Sequence, residues 1–356
     1  MIISRTPFRI SLFGGGTDYP AWYRVHGGAV LGGTIDKYCY LTCRYLPPFF
    51  EHRFRLVYSK IETCNRVDEI RHPAARAALE LLKFDRGVEI HHDGDLPARS
   101  GMGSSSSFSV GLLHALHALR GQMPTRRELA DQGIHIEREM LGETVGCQDQ
   151  ILAAFGGFNH ITFTRGGEYV VRPVTVSAER MRDLSSHLLV FYTGIIRTAS
   201  TVAKKVVDRF DVNKRQLRIL RDMVDEGLAA IASEESLAAV GDLLHEAWIV
   251  KRSLGDGVSN PEIDAIYDTA RASGATGGKI LGAGGGGFML LFAPPSRHEE
   301  IKNALPHLIH VPFRFCSGGS EIVMYEPEQE YHAAEIARID NRTAPFREQP
   351  PEDDGE

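Results

Sequence analysis

Leu96-Pro-Ala-Arg-Ser-Gly-Met-Gly-Ser-Ser-Ser-Ser107 runs directly into Phe108, Leu112, Leu113, Leu116 and Leu119, an apolar series at helical spacing. A loop of small residues at the start of a helix lets an anion approach the backbone. There the first-turn N–H groups lack partners and the macrodipole is positive. The hydroxyls of Ser104 to Ser107 add donors, and one of them can ligate magnesium. A tight turn closed by a serine cap is the plain structural alternative. Four consecutive serines favour the phosphate reading.

Working outward, Thr6-Pro-Phe-Arg-Ile-Ser-Leu-Phe-Gly-Gly-Gly-Thr-Asp-Tyr19 is a strand with Arg9 on it, a glycine cluster and Asp18 beyond. Taken alone it reads equally well as a hairpin turn with a capping aspartate. On the other side, Ile136-Glu-Arg-Glu-Met-Leu-Gly-Glu-Thr-Val-Gly-Cys-Gln-Asp-Gln150 ends a helix and enters a loop rich in carboxylates, any of which can face solvent, hold metal or accept a proton. Far downstream, Lys279-Ile-Leu-Gly-Ala-Gly-Gly-Gly-Gly-Phe288 satisfies G-x-G-x-x-G through Gly282, Gly284 and Gly287. A strand-like Phe288-Met-Leu-Leu-Phe292 follows it where a dinucleotide site needs a helix, so NAD is excluded. Gly277-Gly-Lys279-Ile lacks the Ser or Thr of a P-loop.

The 356 residues suffice for two domains. Strand patterns dominate the first hundred residues, with a helix at 74–84, and helical patterns over 104–119 and 126–141 lead to strands at 157–163 and 168–174. A second block opens on the strand at 187–193 and continues through helices between 199 and 272. A short helix at 297–305 and a strand at 321–325 are expected to close its α+β layer. The boundary is placed near residue 185, giving domains 1–185 and 186–326, with 327–356 as a polar, solvated extension.

A net charge of −6 gives no electrostatic reason to expect nucleic acid or an anionic membrane as partner. Five scattered cysteines suit a reducing compartment, and Cys39 and Cys43 fall on one face of a strand as core. Neither a leader peptide nor a membrane-spanning run is apparent, so a soluble, cytoplasmic protein is expected.

In this order and at these spacings, the segments resemble the GHMP kinase family, named for galactokinase, homoserine kinase, mevalonate kinase and phosphomevalonate kinase. Pro97-x-x-x-Gly-Met-Gly-Ser-Ser is similar to the family's P-x-x-x-G-L-G-S-S phosphate loop, with Met102 for leucine. Residues 137–150 resemble galactokinase without a gap. The resemblance implies an α+β fold, with an N-terminal domain like ribosomal protein S5 domain 2, containing a left-handed βαβ crossover, and a ferredoxin-like C-terminal domain. It implies ATP and Mg²⁺ as cofactors in the cleft between them. Pro97, Ser100, Gly101, Met102, Gly103, Ser104, Ser105, Ser106, Gly284, Gly285 and Gly286 would bind nucleotide. Ser105 and Glu137 would ligate magnesium, Asp149 would be the base, and Arg9 the cation beside it.

Gly15, Gly16, Thr17, Asp18 and Asp149 would meet the acceptor, a small sugar or sugar phosphate. Galactokinases read G-E-H-T-D-Y where this chain has Gly14-Gly-Gly-Thr-Asp-Tyr19, which turns the reading away from galactose. The G-G-G-T-D form with Phe155-Gly-Gly-Phe-Asn159 is most similar to the heptose 7-phosphate 1-kinase branch of the family, with L-fucokinases next. A GHMP-type decarboxylase and a non-catalytic sugar sensor are the other readings, and a homodimer is left open. For a distal phosphate the sequence offers Arg24, Lys37 and Arg99 without ranking them.

Overall fold

The computed structural model describes residues 1–98, 100–195, 199–326 and 331–340. Strand β1 (Ile2–Phe13) alternates buried and half-buried residues at its start and is buried on both faces from Thr6 onward. After α1 (Pro20–His26) the chain returns as β2 (Gly28–Tyr45), antiparallel to β1 from the Ile2–Cys43 pair to the Phe13–Leu31 pair. At 18 residues, β2 is long enough to serve two further strands on its other edge.

Those partners are β5 (Val88–Gly94), which follows β3 (Phe54–Val57), β4 (Ile61–Cys64) and α2 (Pro73–Leu81), and a later strand that pairs with Gly28–Gly33. β3 and β5 are parallel, with α2 in the connection between them. The sequence pattern also yields α3 (Ser104–Leu119), which lies on β1 and β2. The close approach depends on Gly111, where a β-carbon would stand 2.6 Å from Thr6 Oγ1. Ser4 Oγ donates to Gly111 O at 2.9 Å and Ser107 Oγ to Pro7 O at 2.9 Å. These contacts set the first turn of α3 directly over the middle of β1.

Helix α4 (Arg126–His135) begins with a reciprocal cap between Thr125 and Glu128. The helix expected to reach residue 141 instead widens into a π turn over Ile136–Met140, and Glu137 of that turn is buried. Such turns re-aim side chains and are frequent at functional sites. Next come α5 (Gln148–Phe155), β6 (Phe158–Phe163), which is the second partner of β2, and β7 (Tyr169–Pro173).

The C-terminal block contains α6 (Ala178–Ser186), β8 (Leu188–Tyr192), α7 (Ala199–Val207), α8 (Lys214–Ala232), α9 (Ala238–Arg252), α10 (Pro261–Ala272), β9 (Gly277–Ile280), β10 (Phe288–Phe292), α11 (His298–Ala304), β11 (Ile309–His310), β12 (Glu321–Tyr325) and α12 (His332–Ile339). Its antiparallel sheet has the order β11-β8-β10-β9. The α+β class expected from the sequence is the class observed.

Two expectations change. The strand at Glu321–Tyr325 does not close the C-terminal layer. It crosses back to pair antiparallel with β1, and Arg5 binds Glu321 at 2.9 Å. The extension expected from residue 327 is not uniformly solvated either, because α12 docks on the N-terminal block. Glu335 Oε1 accepts from Arg53 Nε at 2.8 Å and from Gly87 N at 3.0 Å. Residues 327–330 and 341–356 of that extension lie outside the described part. All five cysteines are free thiols, with Cys39 and Cys43 buried in β2. No described helix is long and apolar enough to cross a membrane.

The Glu335 carboxylate is 15% exposed and receives two N–H donors. Glu335→Ala should therefore lower unfolding stability by about 1–3 kcal/mol. Urea denaturation measures this, and an unchanged midpoint would mean that α12 docks without contributing.

Candidate active site

Strand β1 carries Arg9 beneath the loop that precedes α3. Arg9 Nε and Nη2 form a fork on Asp149, at 2.6 Å to Oδ1 and 2.5 Å to Oδ2. Its Nη1 donates to Gly101 O at 2.7 Å, and its backbone N to Met102 O at 3.1 Å. One guanidinium thus joins a strand, the serine-rich loop and the first turn of α5. Arg9 is 4% exposed and Asp149 25%, so the carboxylate keeps an open face.

The loop residues sort by what they touch. Ser100 Oγ closes a turn on Pro97 O at 2.7 Å, and the Met102 side chain is core. Gly103, the N-cap of α3, has φ +78, and a β-carbon there would lie 3.1 Å from Arg9 Cγ. The third glycine segment of the chain, Gly282–Gly287, packs on the loop before α3: a β-carbon on Gly282 would stand 2.7 Å from Gly101 Cα. Gly284 and Gly286 instead approach Val258 O and Ile195 O, while Gly285 N donates to Val258 O at 2.9 Å. Close backbone packing is the physical reason for both glycine runs.

Glu137, buried by its π turn, accepts from Gln150 Nε2 at 2.6 Å and Ser106 Oγ at 3.0 Å, both on Oε2. Oε1 has no partner. The serine expected beside Glu137 was Ser105; the structure brings Ser106 there and leaves Ser105 exposed one position earlier on α3. Burial pushes the Glu137 carboxyl up to about 7, against the lowering bond from Gln150. The orphaned Glu137 oxygen, with the exposed Ser105 hydroxyl next in sequence to Ser106, offers hard donors in small number. That set fits Mg²⁺, which takes one or two protein carboxylates and leaves its other positions to water and substrate phosphates.

The Gly14–Tyr19 segment is placed otherwise than the sequence suggests. Thr17 is fully enclosed, its hydroxyl held between Gly14 O and Ala29 O at 2.8 Å each, so it braces the loop and cannot meet an acceptor. Asp18 is also buried, accepting from Gly16 N at 3.0 Å and Gln148 N at 3.3 Å. Burial, then the neighbouring Asp149, raises its carboxyl above the usual range. Gly15 approaches Gln148 Nε2, and Gly16 approaches Leu217 and Leu254 of the C-terminal block. Of the cations offered for a distal phosphate, Arg24 is exposed, Lys37 pairs with Asp36 at 3.5 Å, and Arg99 lies outside the described residues.

Sequence reasoning missed two lysines. Lys279 Nζ, buried, donates to Leu12 O at 2.7 Å, tying β9 to the end of β1. Lys251 Nζ donates to Ile280 O at 2.8 Å and Gly282 O at 2.6 Å, clamping one end of the third glycine segment. Burial pushes the Lys251 ammonium down to about 7 and Lys279 well below the lysine range, and Arg9 repels both.

Residues 70–157 match the GHMP kinases N terminal domain and residues 228–309 the GHMP kinases C terminal domain. The chain therefore carries the N- and C-terminal domains of the GHMP kinases, in that order. Within that family it is similar to the D-glycero-alpha-D-manno-heptose 7-phosphate kinase of Campylobacter jejuni, 28% identical over 85% of this chain and 93% of the relative. It is also similar to the L-fucokinase/L-fucose-1-P guanylyltransferase of Bacteroides fragilis, 25% identical over 86% of this chain but only 36% of that longer protein. Among solved structures, a D-glycero-D-manno-heptose 1-phosphate kinase from Bacteroides thetaiotaomicron superposes with TM-score 0.76 at 22% identity, over 92% of this chain and 100% of that one.

The Glu137 carboxyl gives a test that needs no turnover. With its pKa raised on folding, the folded state holds a proton that the unfolded state has lost between the usual carboxylate range and about pH 7. Its contribution to stability is best below that window and falls as pH rises through it, by on the order of 1–3 kcal/mol. Metal-free protein should therefore lose thermal stability from pH 5 to 8 relative to Glu137→Gln. Mg²⁺ should raise Tm more at pH 8 than at pH 5 in the parent protein, and not in the variant. Equal pH profiles would remove Glu137 from the metal site.

Proposed function

We propose that this protein transfers the γ-phosphoryl group of ATP to the anomeric hydroxyl of a sugar, D-glycero-D-manno-heptose 7-phosphate, giving the 1,7-bisphosphate. The observation that carries the phosphotransfer reading is the Arg9 fork on Asp149 directly beneath Gly103, at the mouth of the α3 N-terminus. A base, a cation and the N-terminal end of a helix meet there. Phosphoryl transfer asks mainly for such positioning and charge neutralisation.

In this mechanism the acceptor hydroxyl donates to the open face of Asp149, which takes its proton as the oxygen attacks Pγ. The bond from Pγ to the bridging oxygen breaks and ADP leaves. Arg9 holds the plane of the carboxylate through two bonds, so the oxygens do not rotate away from the acceptor. The first turn of α3, with Ser104, would hold the phosphates of the nucleotide, and the Gly282–Gly287 segment would flank it. Glu137 and Ser105 would hold Mg²⁺, which neutralises phosphate charge when bound. Ser106 and Gln150 aim the Glu137 carboxylate by occupying its other oxygen.

The heptose acceptor is supported by the Gly14-Gly-Gly-Thr-Asp-Tyr19 form and by similarity to the C. jejuni heptose 7-phosphate kinase across nearly the full chain. The B. fragilis relative favours L-fucose as the second reading. A coupled ADP-release assay on a sugar panel separates them. Heptose 7-phosphate should exceed unphosphorylated heptose and L-fucose by at least about 10²-fold in kcat/KM, the scale of losing charge-assisted bonds to a phosphate. Comparable turnover of L-fucose would sink the heptose assignment alone.

Asp149→Asn should leave ATP affinity nearly intact and lower kcat by at least about 10²-fold, as expected for loss of a positioned base. A variant within a few-fold of the parent would exclude Asp149 from that role.

A further inference from the structure

Trp22, His26, Gly27, Arg165, Arg218 and Arg221 line a cavity of about 240 Å³ between the C-terminal end of α1, the β6–β7 turn and α8. Arg218 and Arg221 stand three apart on α8 and share a face. Their surroundings are unequal. Arg221 is already paired, with Asp222 at 2.8 Å and Asp225 at 3.8 Å, and the nearby Lys214 with Asp211 at 2.8 Å. Arg165 and Arg218 have no carboxylate partner among the described residues. The His26 ring lies against Trp22, centroids 4.1 Å apart.

Two unpaired guanidinium groups and an imidazole converging on one cavity repel each other until an anion arrives. We propose that this cavity binds a phosphate dianion, with Arg165 and Arg218 as forked donors and His26 as a third. Guanidinium groups match phosphate oxygens two at a time, which suits them to this ligand over a lone carboxylate. Burial, then Arg218, Lys214 and Arg165, holds the His26 imidazole below its usual range, with Asp211 opposing. A bound dianion reverses that balance, so binding draws a proton onto His26.

Two sources share this chemistry. One is the distal phosphate of the acceptor, which rests on the heptose reading above. Helix α1 links the cavity to the Asp18 loop, and its seven residues span about 10 Å. The other source is free phosphate or a separate phosphorylated effector.

The first experiment follows the His26 ring protons by NMR, assigned with His26→Gln, as inorganic phosphate replaces chloride at constant ionic strength. The His26 titration midpoint should rise by about one pH unit or more, the scale of a close opposite charge. Arg165→Gln combined with Arg218→Gln should abolish the rise while leaving Tm unchanged, since both side chains are exposed. No movement in the parent protein at about 10 mM phosphate, well above a ~1 mM affinity, would overturn the proposal. So would an undiminished response in the double variant.

Kinetics then assign the source. If the acceptor's own phosphate sits here, the double variant raises KM for heptose 7-phosphate about tenfold or more and spares unphosphorylated heptose. If KM is unchanged while phosphate binding is lost, the cavity serves a separate phosphate. Failure of the kinase reading would appear differently, as no ADP release with any sugar, and would leave the NMR result standing.

Discussion

Arg9 is a nearly buried cation, and the cost of removing it from water is tolerable only because each side of its guanidinium has an acceptor. Those acceptors come from parts of the chain 92 and 140 residues away. The strand must run under the loop, α3 must lie flush on β1, and α5 must begin where Asp149 can face back. Gly111 and Gly103 are the residues that let backbone approach this closely. Loss of either acceptor would leave a desolvated charge, so the geometry of the site and the stability of the N-terminal block are one constraint.

Two lysines lie within electrostatic reach of Arg9. Lys251 and Lys279 donate only to backbone carbonyls, and burial disfavours their charged forms, so Arg9, paired with a carboxylate, is the one fixed cation of the three. A polyphosphate beside them would favour protonation of both lysines, because charges act strongly where water is excluded. The same lysines are also mechanical: one holds the end of β1 and the other the start of the third glycine segment. Charge and loop position are therefore coupled through the same ammonium groups.

Much of this was legible in the sequence because glycine and serine runs have few alternative uses before a strong amphipathic helix. Arg9, Glu137, Asp149 and the loops around them are brought together as their motifs suggest. The remainder depends on tertiary pairing that local pattern does not encode. The Glu321–Tyr325 segment looks the same whichever sheet it joins. Thr17 and Asp18 carry polar groups that serve a ligand or a loop equally well, and only their enclosure decides. Ser105 and Ser106 are indistinguishable until the helix phase is known. Lys279 had a visible signal, a lone cation in an apolar strand, whereas Lys251 sits in a Val-Lys-Arg run that reads as an ordinary helix end.

The return of β12 to β1 bears on how the two blocks can exist apart. β12 is the outermost strand beside β1 in the order β12-β1-β2-β5-β3-β4. A fragment cut near residue 185 would strip it away and leave Ile2–Arg5, the stretch of β1 that β12 covers, as a bare sheet edge. Unpaired strand edges invite pairing with other chains. The blocks are thus not separable modules: the C-terminal part supplies a protective margin for the sheet of the first, and self-association is the expected fate of the N-terminal part on its own.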